Sequence, residues 1–535
     1  MDTLAELLPG GNAPRVIGRE GTARDRALLE KYGTISECGY QDDFQFIRTV
    51  ARDLLAGAVN WRGPDTMYNL GAPVNAPAAA AYALALDLNV YLINDGLAGN
   101  AILAEAAVAK ILAGLAGIDP AKAHGVFTFG GTGTILYGMK MGTRRLAPES
   151  DRTGLPVGIS IAITEDAHFS HPTAADWLGV GTNNLILASP GDDRRTNVDD
   201  LEVKLRAVLA SGGHLAAIIA NGGTTYDHTV DDIERIALLR DDLVREYELE
   251  YVPHLHVDSV IGWAWLTFQG YDFETNPMQI SPDVLERIRT QHERIAAVQY
   301  ADSWGVDFHK GVGGCPVDCS FVMARDRRDL ARLARNRSPL GQMHQLAAEF
   351  SAHSPCDYTL ETSRAGGKAL AALTSLQGLG LNGYRSVLAG LLESTARLRN
   401  CVSRRRDMTV LNSYALGYQT MVRLYPPEHV DDRRRTEELR GGSDEIRQFV
   451  EAGNKYMKAF FRWDNETRME KNGGGMMYSF SSKFVRAASL ADISGLKLYL
   501  TSPRTTPDHA EAAIKLLGER KQTFDATLWP SPRHR

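Results

Sequence analysis

Lys310 has the clearest chemical context of any residue in this 535-residue chain. It stands in Ala-Asp-Ser-Trp-Gly-Val-Asp-Phe-His-Lys-Gly (301–311), after an apolar run and before glycines, with His309 beside it. A lysine amine with a pKa near about 10.4 is protonated in water, and it attacks a carbonyl carbon once its surroundings ease loss of that proton. Three more polar groups follow apolar runs: Asp258 in His-Val-Asp-Ser (256–259), His168 in Ala-His-Phe-Ser (167–170), and Gly-Gly-Thr-Gly-Thr (130–134). Each has an ordinary reading on its own, as surface lysine, helix-capping aspartate, core histidine or simple turn. The glycine loop lacks the Lys-Ser/Thr of a nucleotide-binding P-loop and the spacing of a dinucleotide fingerprint.

As a set, these groups match the demands of pyridoxal phosphate. That cofactor needs a lysine for a Schiff base, an acid facing its ring nitrogen, a flat group over the ring and a cradle for its phosphate. Lys310, Asp258 and His168 answer the first three. Thr132, Gly133 and Thr134 would open a helix, where backbone N–H groups and hydroxyls meet an anion.

The elements that must position them follow from the hydrophobic pattern. Runs at 125–129, 157–163, 184–188, 215–220 and 255–257 are apolar without alternation and are separated by helical patterns such as 198–210 and 231–247. This predicts an α/β fold with a mostly parallel sheet covered on both faces, ligands gathering at the carboxyl ends of its strands. Residues 1–75 read as an N-terminal arm, 76–365 as a large domain, and 366–535 as a smaller α+β domain. Within the last, the charge-rich stretch 431–470 is expected to be a solvated helical excursion.

Composition narrows the function classes. A chain that is 44% hydrophobic and 23% charged, with net charge −6, is ordinary for a globular protein and offers no basic footprint for nucleic acid or an anionic membrane. The start lacks the pattern of a secretory signal, so the cytosol is expected. The apolar stretch 78–93 is broken by Asp87 and Asn89 and is read as a buried element, not a membrane span. Five scattered cysteines argue against a disulfide framework, and no metal site is expected.

Six segments in order carry a family resemblance: Gly-Val-Phe-Thr-Phe-Gly-Gly-Thr-Gly-Thr (125–134), Ala-His-Phe-Ser (167–170), Gly-Gly-Thr-Thr-Tyr-Asp-His-Thr-Val-Asp (222–231), His-Val-Asp-Ser (256–259), Ala-Asp-Ser-Trp-Gly-Val-Asp-Phe-His-Lys (301–310) and Tyr-Thr-Leu-Glu-Thr-Ser-Arg (358–364). The chain resembles the group II pyridoxal-phosphate-dependent amino-acid decarboxylases, which include aromatic-amino-acid, glutamate and bacterial tyrosine decarboxylases. The resemblance implies the transferase fold of type I with a seven-stranded sheet, an amino-acid substrate and a homodimer with active sites at the interface. It implies Lys310 as the Schiff-base residue, Asp258 at the ring nitrogen, His168 over the ring, and Thr132, Gly133, Ser303 and His309 on the phosphate side. Thr225 matches a threonine beside the cofactor, and Asp231 an acid supporting the His168 region.

The chain also departs from that family. Relatives protonate the carbanion with a tyrosine on a loop after the lysine, and this chain has no tyrosine between Lys310 and Asp357. His344 is the first substitute as general acid, with His353 and Phe350 nearby in sequence. Without prompt protonation the outcome would be an aldehyde from oxidative decarboxylation, or another carbon–carbon lyase reaction, instead of an amine; a catalytically silent binding relative is the alternative outside enzymes. Lys497 replaces an arginine that relatives carry in the last domain. Tyr68, Asn69 and Tyr91 are the expected substrate contacts.

Overall fold

The computed structural model describes residues 23–35, 37–56, 58–335, 353–470 and 476–529. The chain forms two units, one of Leu70–Glu393 with Asn412–Gln419, the other of Met1–Asn69, Ser394–Leu411 and Thr420–Arg535. In chain order the strands are β1 (Thr66–Met67), β2 (His124–Phe129), β3 (Ile159–Thr164), β4 (Leu185–Ala188), β5 (His214–Asn221), β6 (His254–Asp258), β7 (Ser303–Asp307), β8 (Cys319–Ala324), β9 (Met408–Val410), β10 (Gln419–Leu424), β11 (Met477–Arg486) and β12 (Asp492–Tyr499). The helices used below are α1 (Ile102–Leu115), α2 (Gly131–Leu146), α3 (Ser170–Trp177), α4 (Val198–Ala210), α5 (Ile233–Glu246), α6 (Pro282–Ala296), α7 (Gly367–Ser403), α8 (Asp444–Glu470) and α9 (Pro507–Thr527).

The large unit is built on a seven-stranded sheet of order β2-β8-β7-β6-β5-β3-β4. β4, β3, β5, β6 and β7 run parallel, and β8 lies antiparallel between β7 and β2. The apolar run of β5, buried at every position after His214, has no solvent-facing side, as expected of a strand covered on both faces. Its registers with β3 and β6 bring Asn221 level with Asp258. Chain order, strand direction and the helical crossovers therefore put the carboxyl ends of β3, β5, β6 and β7 along one edge.

Helix α2 crosses this sheet at close range. A side chain on Gly138 would lie 2.4 Å from the His256 ring, so only glycine lets the helix approach β6 there. Ile135 and Met139 on α2 then pack with Ile161, Ile163, Ala216 and Ile219 in one buried cluster. Asn197 caps α4 through the N–H groups of Asp199 and Asp200, and Asp232 caps α5 through Arg235.

A buried ion pair ties α1 to the start of α7. Arg364 donates to both carboxylate oxygens of Glu105, at 2.5 and 3.0 Å, and also to the carbonyls of Leu92 and Phe127. Glu105 in turn accepts from the Phe127 N–H at 2.7 Å. Residues Asp95–Leu115 are long and apolar enough for a membrane span, with mean hydropathy 1.4, yet this pair and the packing of α1 on β2 make α1 a helix of the protein core.

The boundaries differ from those expected. Within the stretch expected to be an N-terminal arm, β1 pairs in parallel with β11, which joins Thr66–Met67 to the smaller unit. The second boundary falls inside α7, after Glu393, instead of at 365; the helix itself is interrupted at Gly380 (φ 60°, ψ 179°). The smaller unit holds a five-stranded sheet of order β1-β11-β12-β10-β9. Its α8, expected as a solvated excursion, is amphipathic: Ile446, Phe449, Val450, Met457 and Phe460 are buried. Arg423 is buried beside it and donates to Glu438 at 2.9 Å, to Asn454 and to two carbonyls.

Arg364→Leu leaves Glu105 buried without a partner charge, which typically costs about 3–5 kcal/mol. Urea unfolding of the variant is expected to show a loss of that order; a loss below about 1 kcal/mol would contradict this role for the pair.

Candidate active site

The strand ends of the large unit surround a cavity lined by Gly131, Thr132, Ile135, His168, Ser170, Asn221, Gly223, Thr224, Thr225, Asp258, Val260, Ile261, Asp307, His309 and Lys310. Each polar residue arrives from a different element. Asp258 ends β6, Asp307 ends β7, Asn221 ends β5, and Gly131 with Thr132 opens α2. Lys310 follows β7 by one turn, its N–H donating to the Asp307 carbonyl at 3.3 Å.

Asp258 is buried and held by a histidine from α3. His171, with no exposed side-chain surface, places Nε2 3.2 Å from Asp258 Oδ2. Burial pushes the Asp258 carboxyl up, but the His171 hydrogen bond, with the electrostatic pull of His171 and Lys310, outweighs it and brings it down to about 2. The carboxylate is therefore ionised at neutral pH. Its other oxygen, Oδ1, is buried and has no hydrogen-bond partner among the described residues.

His168 lies before α3. The Ser170 N–H donates to its Nδ1 at 3.2 Å and the Ser170 hydroxyl lies 2.7 Å from the same atom, so the neutral ring carries its hydrogen on Nε2. Burial lowers its pKa more than the Asp258 charge raises it, favouring that neutral ring. Its plane is tilted 33° to the Phe169 ring.

Lys310 reaches the cavity beside Asp307. Its Nζ stands 2.7 Å from Asp307 Oδ2, and Asp307 has no exposed surface. His309 turns Nδ1 toward the Cys319 carbonyl at 3.3 Å and Nε2 toward Asp307 Oδ2 at 3.8 Å. The loop after β5 is closed by Gly222 N–H donating to the Asp258 carbonyl and Asp231 N–H to the Asn221 carbonyl, which sets Thr224 and Thr225 against the cavity.

The structure thus brings together Lys310, His168, Thr132, Thr225, Asp258 and His309. It places four other expected residues elsewhere. Thr134 is buried, bonded to the Gly131 carbonyl and packed toward Gly305, and Gly133 faces Thr128, so neither lines the cavity. Ser303, at the opposite end of β7 from Asp307, is buried between His254 Nε2 (2.8 Å) and His256 Nδ1 (2.7 Å). Asp231 takes the Thr196 N–H and hydroxyl and the Asn221 N–H, so it braces Asn221 and does not reach the His168 region directly.

The expected substrate contacts and general acid are also displaced or undescribed. Tyr91 is 43% exposed and bridges to Ala365 outside the cavity lining. Tyr68 and Asn69 belong to the smaller unit, where Asn69 Oδ1 lies 3.4 Å from Lys497 Nζ and burial lowers Lys497 to about 8. His344 and Phe350 lie outside the described residues, and His353 borders a different cavity with His124 and Tyr358. Sequence reasoning missed Asp307, His171, Ser170 and Asn221. Asp307 and His171 were legible as polar residues three positions from Lys310 and His168; Asn221 ends the apolar run before the Gly-Gly-Thr-Thr loop.

These residues fit pyridoxal phosphate. The unpartnered, ionised Oδ1 of Asp258 suits a protonated ring nitrogen, and the opening of the 16-residue helix α2 presents free N–H groups for a phosphate. The chain is 26% identical over 368 residues to L-2,4-diaminobutyrate decarboxylase of Rhizobium meliloti, covering 69% of this chain and 66% of that one. It is 25% identical over 255 residues to L-tyrosine decarboxylase of Enterococcus faecalis, covering 44% of this chain and 39% of the relative. Among solved structures, mouse CSAD superposes with a TM-score of 0.74 at 19% identity, over 96% of this chain and 93% of that one, a likeness of fold. Residues 40–418 match the family described as the pyridoxal-dependent decarboxylase conserved domain, and the chain belongs to that family.

Proposed function

We propose that this protein is an L-amino-acid α-decarboxylase that uses pyridoxal phosphate and releases carbon dioxide and an amine. The observation that carries the proposal is the meeting of Lys310 and an ionised Asp258 in one cavity, delivered by adjacent parallel strands. The decarboxylase names of the relatives support loss of the carboxyl group over the other lyase outcomes. Homodimeric assembly belongs to the same proposal and rests on the family resemblance.

When bound, the cofactor supplies an aldehyde that takes up amino groups and a ring that accepts the electron pair released with carbon dioxide. The rest falls to the protein. Lys310 would hold the cofactor through its Nζ. Asp258 Oδ1 keeps a proton on the ring nitrogen, which is possible because His171 and the nearby cations maintain its negative charge. His168, kept a neutral imidazole, would cover the ring. The N–H groups of Gly131 and Thr132 would hold the phosphate, and Ile135, Val260 and Ile261 would exclude water from the same space.

Lys310→Ala is expected to remove both the visible absorbance of the lysine-bound cofactor and the release of carbon dioxide and amine, measured with a panel of amino acids. Full turnover in that variant would refute the proposal. Asp258→Asn keeps the shape of the site but removes the charge facing the ring nitrogen. Loss of one preorganised electrostatic partner typically costs about 10²–10³-fold in turnover, and steady-state kinetics of the cofactor-loaded variant check it; an unchanged kcat would remove Asp258 from the chemistry.

A further inference from the structure

At the edge of the sheet opposite Lys310 lies a larger cavity, of about 1040 Å³ against about 90 Å³ for the one around Lys310. The residues lining it precede β2, β6 or β7, follow β8, or belong to the end of α2 and to α5. β6 and β7, five residues each, begin here and end at Asp258 and Asp307, so roughly 15 Å of strand separates the two cavities. A ligand held here would not touch the cofactor. The volume is ample for a small metabolite.

The floor of this cavity consists of completed ion pairs. The buried Asp302 accepts from Arg145 Nη1 at 3.0 Å, Arg240 Nη1 at 2.8 Å and the Leu255 N–H at 2.9 Å, all on Oδ2. Arg145 gives Nε and Nη2 to the two oxygens of Asp329, at 3.0 and 2.7 Å, and Arg240 gives Nε to Asp241 at 2.8 Å. On the rim, Arg328 Nε donates to Asp326 at 2.8 Å. These acids are taken up by the cations that face them.

Arg325 and Arg332 are held far more loosely, and their side chains are 41% and 49% exposed. Arg325 reaches Asp302 Oδ1 with Nη2 at 3.2 Å and the Gln299 carbonyl with Nη1 at 3.4 Å. Arg332 makes one ion-pair contact among the described residues, its Nε 3.6 Å from Asp329 Oδ1. Lys122 is equally loose, 3.9 Å from an Asp119 whose other oxygen already takes the Ala121 N–H. Among the described residues, the one lining carboxylate outside every ion pair is that of Glu250. Three cations with bonding capacity to spare thus face one acid.

We infer that this cavity binds an oxyanion, a phosphate group or paired carboxylates carried on a small metabolite, through Arg325, Arg332 and Lys122. The planar guanidinium fork matches either group with two parallel N–H donors, and a lysine adds a mobile point charge. Binding asks little of the fold. Arg325 can give up its long contact with the Gln299 carbonyl while Asp302 keeps Arg145 and Arg240. The site is a second one, independent of the reading of Lys310.

Isothermal titration calorimetry tests this on protein loaded with pyridoxal phosphate and freed of excess, so that the cavity around Lys310 is filled. Inorganic phosphate and succinate are titrated separately at constant ionic strength, with sodium chloride as the control. One site for phosphate, for succinate or for both is expected, and the tighter of the two tells a phosphate source from a dicarboxylate one. Arg325→Gln and Arg332→Gln are each expected to weaken that binding about tenfold or more, the scale of one hydrogen bond to a charged group. Glu250→Gln removes the opposing charge without touching the arginines and is expected to tighten it. Heats no greater than those of chloride for both anions would overturn the inference. So would phosphate or succinate binding that both arginine variants leave unchanged, or that Glu250→Gln weakens.

Discussion

The hydrogen bond from His171 Nε2 to Asp258 Oδ2 is the interaction on which the site depends. A carboxyl buried at the end of β6 would by itself lean toward its neutral form, because low dielectric disfavours the charge. The histidine, with Lys310 nearby, reverses that tendency and leaves an anion with one oxygen free of hydrogen bonds among the described residues. An electron-accepting cofactor needs such an anion, and water cannot supply it in a closed cavity. His171 is fixed in turn because it is the second residue of α3, fully buried, with its N–H donating to the His168 carbonyl. The residue that sets the charge of Asp258 and the residue proposed to cover the ring are therefore placed by the same short turn.

The sheet supplies the second constraint. Parallel β5, β6 and β7 end side by side, so Asn221, Asp258 and Asp307 come from three separate stretches of chain yet share one edge. The close crossing of α2 over β6 then fixes the helix opening at that edge. Two carboxylates buried in one place would destabilise the fold if each stood alone. Here Lys310 Nζ lies 2.7 Å from Asp307 Oδ2 and His171 Nε2 lies 3.2 Å from Asp258 Oδ2, while Asp258 Oδ1 has no hydrogen-bond partner among the described residues. Glu105 and Arg364 form a further buried pair, bidentate, away from the cavity lining.

Much of this was legible from the sequence, for reasons that are themselves physical. Fully apolar runs marked β3, β5 and β6 because both sheet faces are covered, and the polar residues ending them had to lie on the ligand edge. That logic found Asp258 and Lys310. Ser303, which the family resemblance put on the phosphate side, stands at the start of β7 and not at its ligand end. Gly133 gives its N–H to the Gly130 carbonyl and Thr134 its hydroxyl to the Gly131 carbonyl, local bonds of the first helical turn that the glycine-threonine pattern alone does not announce. Asp231 was misplaced because an acid ten residues along from Asn221 returns to bond that residue's N–H, a tertiary contact without a local signal. The domain boundary was misjudged since the pairing of β1 with β11 spans some four hundred residues of sequence, beyond any local pattern.

The central claim is that Lys310, in this cavity, is the residue that carries the cofactor. Borohydride reduction of the pyridoxal phosphate-loaded protein followed by peptide mass mapping tests it most directly, because reduction fixes the cofactor to whichever amine holds it. The account predicts one modified peptide, with the added mass on Lys310. A label on another lysine, or none on a protein that had taken up the cofactor, would contradict it.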